Sequence, residues 1–285
     1  MKSSNILTQI QPPMNLAIDI GNTTNKIALF DKNQLVEFND NVDLNKVISW
    51  IIEKQVDKAI VSSVKKDNER LLKSVSKHCK IIELDHRTPL PINNLYKTPQ
   101  TMGMDRLAAV VGANHLYREN NCLVIDTGTC ITFDFIDKNS NYHGGSISPG
   151  LDMKFIALNN FTDNLPLLKK GIKEIEGIAE RREHGAERSS PGAMRYAPSA
   201  MRKGIKEFEL IGKNTHDAIR RGVINGTLAE LEGIISAYFS KFDDLTVILC
   251  GGDAKFFKTK IKAPIFVVPE LVLIGLNRIL LNIPT

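Results

Sequence analysis

Two stretches of this chain place an aspartate at the end of an apolar run and follow it with small and hydroxylated residues. The first is LAIDIGNTTNKIALF (16 to 30), with Asp19, Ile20, Gly21, Asn22, Thr23, Thr24, Asn25 and Lys26 at its turn. The second is LVIDTGTCITFDFI (123 to 136), in which Asp126, Gly128 and Thr129 stand 107 positions after Asp19, Gly21 and Asn22. Phosphate handling wants this arrangement. A Gly lets the backbone of a tight hairpin approach an anion, hydroxyl and amide groups donate to it, and an Asp holds a cation beside it. Either hairpin alone is explained by the turn preference of Asn and Gly. Two matched copies, each with Asp in the same place, point to a paired clamp.

Between the hairpins lies LYKTPQTMGMDRLAAVVGANHLY (95 to 117), a Pro-broken loop that delivers Gly103, Met104, Asp105 and Arg106 to the start of an apolar helix. An Asp in a first helical turn is ordinarily a cap or a dipole partner. Here Tyr96, Gly103, Asp105 and Arg106 lie where an acceptor must bind, since Arg clamps carboxylates in bidentate fashion and Asp accepts a hydroxyl proton. Further on, Gly144, Gly145, Pro149 and Gly150 bend the chain into a helix whose N-terminus suits an anion. Asn214 and Thr215 cap a long helix at about 214 to 239. Gly251 and Gly252 end a buried strand where a flat base could lie on bare backbone.

The elements that must position these residues follow an α/β rhythm. A helix at 43 to 54, a strand at 58 to 64, a helix at 67 to 78 and a strand at 80 to 84 follow the first hairpin, and a final apolar helix spans roughly 269 to 282. Trp50, the only Trp, falls on the apolar face of its helix and reads as core. With 285 residues, 42% hydrophobic and 24% charged, the chain suffices for two lobes, here divided as 14 to 120 and 121 to 285. A net charge of +5 suits an anionic nucleotide, while the absence of a basic stripe interleaved with aromatics argues against nucleic acid. No apolar stretch reaches membrane-spanning length. Cys79, Cys122, Cys130 and Cys250 have neither zinc-type nor disulfide-framework spacing, which fits a reducing cytoplasm. Residues 1 to 13, MKSSNILTQIQPP, lack the apolar core of a secretory signal and read as a disordered extension before the fold.

The paired hairpins resemble the phosphate clamps of the actin, hexokinase and heat-shock ATPase superfamily. That likeness implies two lobes of duplicated ribonuclease-H-like topology around a nucleotide cleft. Taken in order, Asp19-Ile-Gly-Asn-Thr, Tyr96 with Gly103-Met-Asp-Arg106, Asp126-Thr-Gly-Thr129, Gly-Gly-Ser-Ile-Ser-Pro-Gly at 144 to 150, Asn214-Thr215 and Gly251-Gly252 are similar to the type III pantothenate kinases over nearly everything from 14 to 282. The resemblance implies that residues 19 to 26 and Thr129 bind ATP. It implies that Tyr96, residues 103 to 106 and Thr215 contact pantothenate, that Asp105 accepts the proton, and that Asp126 holds a monovalent cation. It also implies a cytoplasmic homodimer using potassium or ammonium with magnesium-ATP at the first step of coenzyme A biosynthesis. Neither a Walker-type nor a protein-kinase glycine loop is present, so the hairpins must hold any nucleotide. Two other readings stay open: a non-catalytic nucleotide-binding protein of the same superfamily, and a small-molecule kinase with another acceptor.

One segment departs from the family pattern. KKGIKEIE at 169 to 176 nearly recurs as RKGIKEFE at 202 to 209, and five of the twelve Arg lie between 181 and 202, where there is no Lys. Residues 172 to 204 therefore read as a surface insertion in a Lys-rich chain, the alternative being an ordinary charged helix and loop.

Overall fold

The computed structural model describes residues 14–43, 46–63, 69–170, 188–190, 193–196 and 210–284. The expected N-terminal extension and most of segment 172–204 lie outside the described residues.

The first sheet is ordered β3-β2-β1-β4-β5, from β1 (Met14–Ile20), β2 (Asn25–Asp31), β3 (Gln34–Asn39), β4 (Val56–Ser63) and β5 (Lys80–Glu83). β1 runs antiparallel to β2 and parallel to β4. The second sheet repeats this order as β9-β8-β7-β12-β13. Its strands are β7 (Asn121–Thr127), β8 (Cys130–Ile136), β9 (Asn141–Pro149), β12 (Leu245–Cys250) and β13 (Ile265–Val267), again with the first strand antiparallel to the second and parallel to the fourth. One five-strand topology is therefore used twice, as the hairpin duplication implies. Among the described residues, additions occur only at the edges of the second sheet. β6 (Asn93–Asn94) pairs with β9, so the chain reaches that sheet before residue 120, while β11 (Ala193–Tyr196) and β10 (Arg188–Ser190) extend it beyond β13.

Helices fill the three remaining layers. α1 (Val47–Glu53) and α2 (Glu69–Val75) cover the outer face of the first sheet, where Val47, Ile51 and Val75 pack on Leu16, Ile18 and Ile20, and Trp50 is partly buried beside them. α4 (Leu151–Asn160) and α5 (Thr215–Lys241) cover the outer face of the second. Between the sheets lie α3 (Met104–Leu116) and α7 (Leu271–Asn282), while the short α6 (Ala254–Phe257) after β12 joins the outer core of the second sheet. Both central helices are apolar nearly all round, as a helix buried on every side must be. Their mutual approach depends on two glycines: a Cβ on Gly112 would strike the Leu271 carbonyl, and one on Gly275 the Ala108 carbonyl. α7 also ties back to the first sheet, for Asn15 Nδ2 donates to Asn277 Oδ1 (3.1 Å) and Asn277 Nδ2 to the Lys32 carbonyl (2.7 Å). The central core joins Ala17, Phe30 and Ile60 of one sheet to Val124, Ile248 and Cys250 of the other through these two helices. This layer carries Asp105 to the cleft.

Candidate active site

Strand alternation aims the two aspartates at each other. On β1, Leu16, Ile18 and Ile20 serve the outer core while Ala17 serves the central one, so Asp19 shares the central side with Ala17. On β7, Leu123 and Ile125 face outward and Cys122 and Val124 inward, which leaves Asp126 facing inward too. Each is flanked by its register partners: Asp19 by Lys26 of β2 and Ser62 of β4, Asp126 by Thr132 of β8 and Cys250 of β12. Asp105, in the first turn of α3, is the third carboxylate. Its Oδ1 accepts from the Arg106 backbone N–H at 2.8 Å and folds over Gly103, where a Cβ would stand 2.6 Å away.

These charges strain one another. Burial pushes the Asp19 carboxyl up to about 7; Lys26 opposes the shift, and Asp105 and Asp126 add to it. Burial likewise raises Asp126 to about 6, with Lys26 opposing, Asp105 and Asp134 adding, and a hydrogen bond from the Cys250 thiol relieving part of it. Asp19 and Asp126 thus share one lysine and both feel the Asp105 charge, an environment that a cation would stabilise. Among the described residues no group of three or more His, Cys, Asp or Glu could hold an ion alone. Thr132 Oγ1, beside Asp126, is buried without a hydrogen-bond partner.

The hairpin tips are built differently from one another. Gly21 N–H donates to the Thr24 carbonyl (3.1 Å), whereas Gly128 N–H donates to the Cys130 carbonyl (2.9 Å), so the second turn is one residue shorter. The offset of 107 therefore holds to the aspartate and glycine and becomes 106 beyond the turn, where the Thr23 and Thr129 hydroxyls meet at 3.1 Å. Asn22, Thr23, Thr24 and Thr129 are exposed at the cleft mouth. Ile20, expected among the ATP-binding residues, is wholly buried in the outer core and can offer only backbone. Asn25 donates to the Val42 carbonyl (3.3 Å) while its Oδ1 is buried without a partner. Gly251 answers a different need from the one its sequence context suggests. At φ +91° it lies so close to Asp126 Oδ1 and the Thr127 backbone that no side chain fits, and only Gly252 leaves open backbone.

On the acceptor side the carboxylate clamped by Arg106 belongs to the protein itself. Its Nε and Nη2 donate to Asp134 Oδ2 and Oδ1 at 3.0 and 2.6 Å, and Tyr142 Oη donates to Asp134 Oδ1 at 2.6 Å. Burial works against the Arg106 charge, but Asp134 outweighs it and holds the guanidinium above its ordinary value. Removing one partner of such a buried pair typically costs about 3–5 kcal/mol. Tyr96 stacks on Tyr142 (centroids 6.2 Å apart) with the Arg106 Cζ 5.9 Å from its ring. Met104 is half-buried against the central core beside Asp105. Thr215 stands exposed at the first residue of α5, with Asn214 accepting from the Asp217 N–H at 2.9 Å. No hydrogen bond among the described residues ties Thr215 to the aspartate cluster.

Asp134, Tyr142, Ser62, Thr132 and Cys250 are absent from the site expected on sequence grounds. Asp134 carried a usable signal: it interrupts the apolar strand Cys130–Ile136, and a buried carboxylate demands a partner.

A sequence profile described as type III pantothenate kinase matches residues 15–182. The chain is 43% identical over 270 residues to the type III pantothenate kinase of Phocaeicola vulgatus, covering 94% of this chain and 98% of that one. To the type III pantothenate kinase of Bacteroides fragilis it is 42% identical, with 94% and 97% covered. A solved structure from Campylobacter jejuni, described as a Baf family transcriptional activator, superposes with a TM-score of 0.54 at 19% identity, covering 93% and 96% of the two chains, and at that level the fold is what is shared. Relatives matched along nearly their whole length at this identity leave one assignment: the chain belongs to the type III pantothenate kinase family.

Proposed function

We propose that this chain transfers the γ-phosphoryl group of ATP to the primary hydroxyl of pantothenate, the first step of coenzyme A biosynthesis. The observation that carries the reading is the convergence of Asp105 with Asp19 and Asp126, both of which feel its charge, because a protein that only bound nucleotide would have no use for a carboxylate on the acceptor side. In this reading Asp105 takes the proton of the attacking hydroxyl as its oxygen bonds the γ-phosphorus and ADP leaves. Backbone and hydroxyl groups of residues 19 to 26, with Thr129, hold the phosphates. Magnesium carried by ATP, and a potassium or ammonium ion at Asp126, would supply the charge neutralisation that such transfer depends on. Tyr96, Gly103, Met104 and Thr215 contact pantothenate, and Arg106 serves the acceptor pocket from its anchorage on Asp134.

A cytoplasmic homodimer completes the reading. Among the described residues no helix is long and apolar enough to cross a membrane. Met153 and Ile156 are exposed one turn apart on α4, and Ile147 before that helix and Phe161 at its end are 61% and 87% exposed; in this reading these apolar side chains supply the dimer contact. Coupled ADP release across a panel of acceptors tests the activity, with pantothenate expected to exceed sugars and acetate by orders of magnitude. Equal rates with all acceptors, or none with pantothenate, would overturn it; light scattering decides the dimer.

A further inference from the structure

The two aspartates occupy equivalent places in the repeated topology, and so do their neighbours on the adjoining parallel strand. Asp126 has Cys250 there, and Asp19 has Ser62. The Cys250 thiol donates to the Asp126 carboxylate. Ser62 is 0% exposed, and its Oγ has no hydrogen-bond partner. The direction of its side chain follows from alternation along β4: Ala59 and Val61 pack in the outer core and Ile60 in the central one, so Ser62 points to the central side, as Asp19 does. Adjacent strands lie about 4.8 Å apart, and a serine hydroxyl changes partner by a single χ1 step. A buried hydroxyl left unsatisfied destabilises the protein that carries it, which makes its retention beside the strained carboxylate informative.

We infer that Ser62 is a positioning residue for the nucleotide: its hydroxyl donates to Asp19 when that carboxylate turns to the metal-bound phosphates, as Cys250 does for Asp126 in the other lobe. The inference rests on the reading of Asp19 as a phosphate-side residue. A hydrogen bond to a charged group corresponds to about a tenfold effect or more, so Ser62→Ala should raise the KM for magnesium-ATP about tenfold and leave that for pantothenate within twofold.

Three variants separate the possibilities: Ser62→Ala, Ser62→Cys and Asp19→Asn, each measured for steady-state kinetics, magnesium-ADP affinity by calorimetry, and melting with and without magnesium-ADP. Free Ser62→Ala should melt at or above the parent temperature, having lost an unsatisfied hydroxyl, yet gain less from magnesium-ADP. Ser62→Cys, which copies the other lobe, should recover most of the affinity. An unchanged KM for magnesium-ATP in Ser62→Ala, an equal rise for both substrates, or a Cys variant no better than Ala would each overturn the inference. Weakened magnesium-ADP binding in Asp19→Asn with none in Ser62→Ala would sink the inference alone, whereas normal binding in Asp19→Asn would sink the reading beneath it.

Discussion

Thr23 and Thr129, 106 positions apart in the chain, bring their hydroxyls within 3.1 Å across the mouth of the cleft. The two lobes therefore touch at their hairpin tips in the free protein. An exposed hydroxyl pair of this kind contributes about 1 kcal/mol at most, so on the proposed reading phosphates entering between the tips would displace it at little cost and gain both donors.

Asp105→Asn should reduce turnover by at least about a hundredfold, the usual scale for a positioned general base, while magnesium-ATP affinity stays within a few-fold. Calorimetry and a coupled assay on the same preparation check both halves. Near-normal turnover would remove Asp105 from the chemistry.

The pH dependence of stability follows from Asp19 and Asp126, whose carboxyls rise from 3.8 to about 7 and about 6 on folding. Between about pH 4 and 7 the folded protein holds protons that the unfolded chain has released, so stability falls as pH rises through that window. Asp19→Asn removes the larger contribution. Without nucleotide it should melt several degrees above the parent at pH 8, with the gap narrowing toward pH 4.5, even as activity is lost. A gap that does not change with pH would contradict the assignment.

Asp126 has no lysine of its own, since Thr132 stands where Lys26 stands beside Asp19. Activity should therefore require potassium or ammonium as well as magnesium, and Asp126→Asn should blunt the response to the monovalent ion. Titrating potassium into sodium-only buffer reads this out, and full activity in sodium with Asp126 intact counts against it.

Excising Gly171 to Lys203 rejoins Lys170 to Gly204 and recreates the sequence KKGIKEFE. It removes β10 and β11, which lie outside the five strands the lobes share, and keeps Lys170, whose Nζ bridges Asp152 (3.0 Å) and Asp253 (2.6 Å). Lengthening or shortening a surface loop changes closure entropy by only about 0.6 kcal/mol per doubling. The shortened chain should fold, melt no lower than the parent and keep its kinase activity. Failure to fold would place the segment in the core.

Both aspartate hairpins were legible in the sequence because alternation and turn chemistry act locally, and so was the first turn of α3 with Asp105. What escaped depends on register between strands far apart in the chain. Ser62 and Cys250 become neighbours of Asp19 and Asp126 only through parallel pairing across 43 and 124 positions, a relation no local pattern reports. In the sequence Arg106 looks free to clamp a ligand, because its partner Asp134 lies 28 positions away on another element. β6, a two-residue strand supported only by pairing with β9, has no periodicity to detect.

The crossing of α3 and α7 at Gly112 and Gly275, and the anchoring of α7 on Asn15, bear on how the chain is made. Asn15 and Asn277 are 262 positions apart, so the inner face of the first sheet is not fully covered until α7 has left the ribosome. Contacts closed over such separations form slowly, and apolar surface waiting for its partner is exposed to aggregation meanwhile. The emerging N-terminal half can complete its outer core with α1 and α2 early and can lay α3 on β4, but the central side of β1 and β2, with Ala17 and Phe30, stays open until α7 arrives. A nascent chain stalled before residue 271 should therefore hold a half-finished lobe, sensitive to protease and dependent on chaperones, whatever the integrity of its aspartate hairpins.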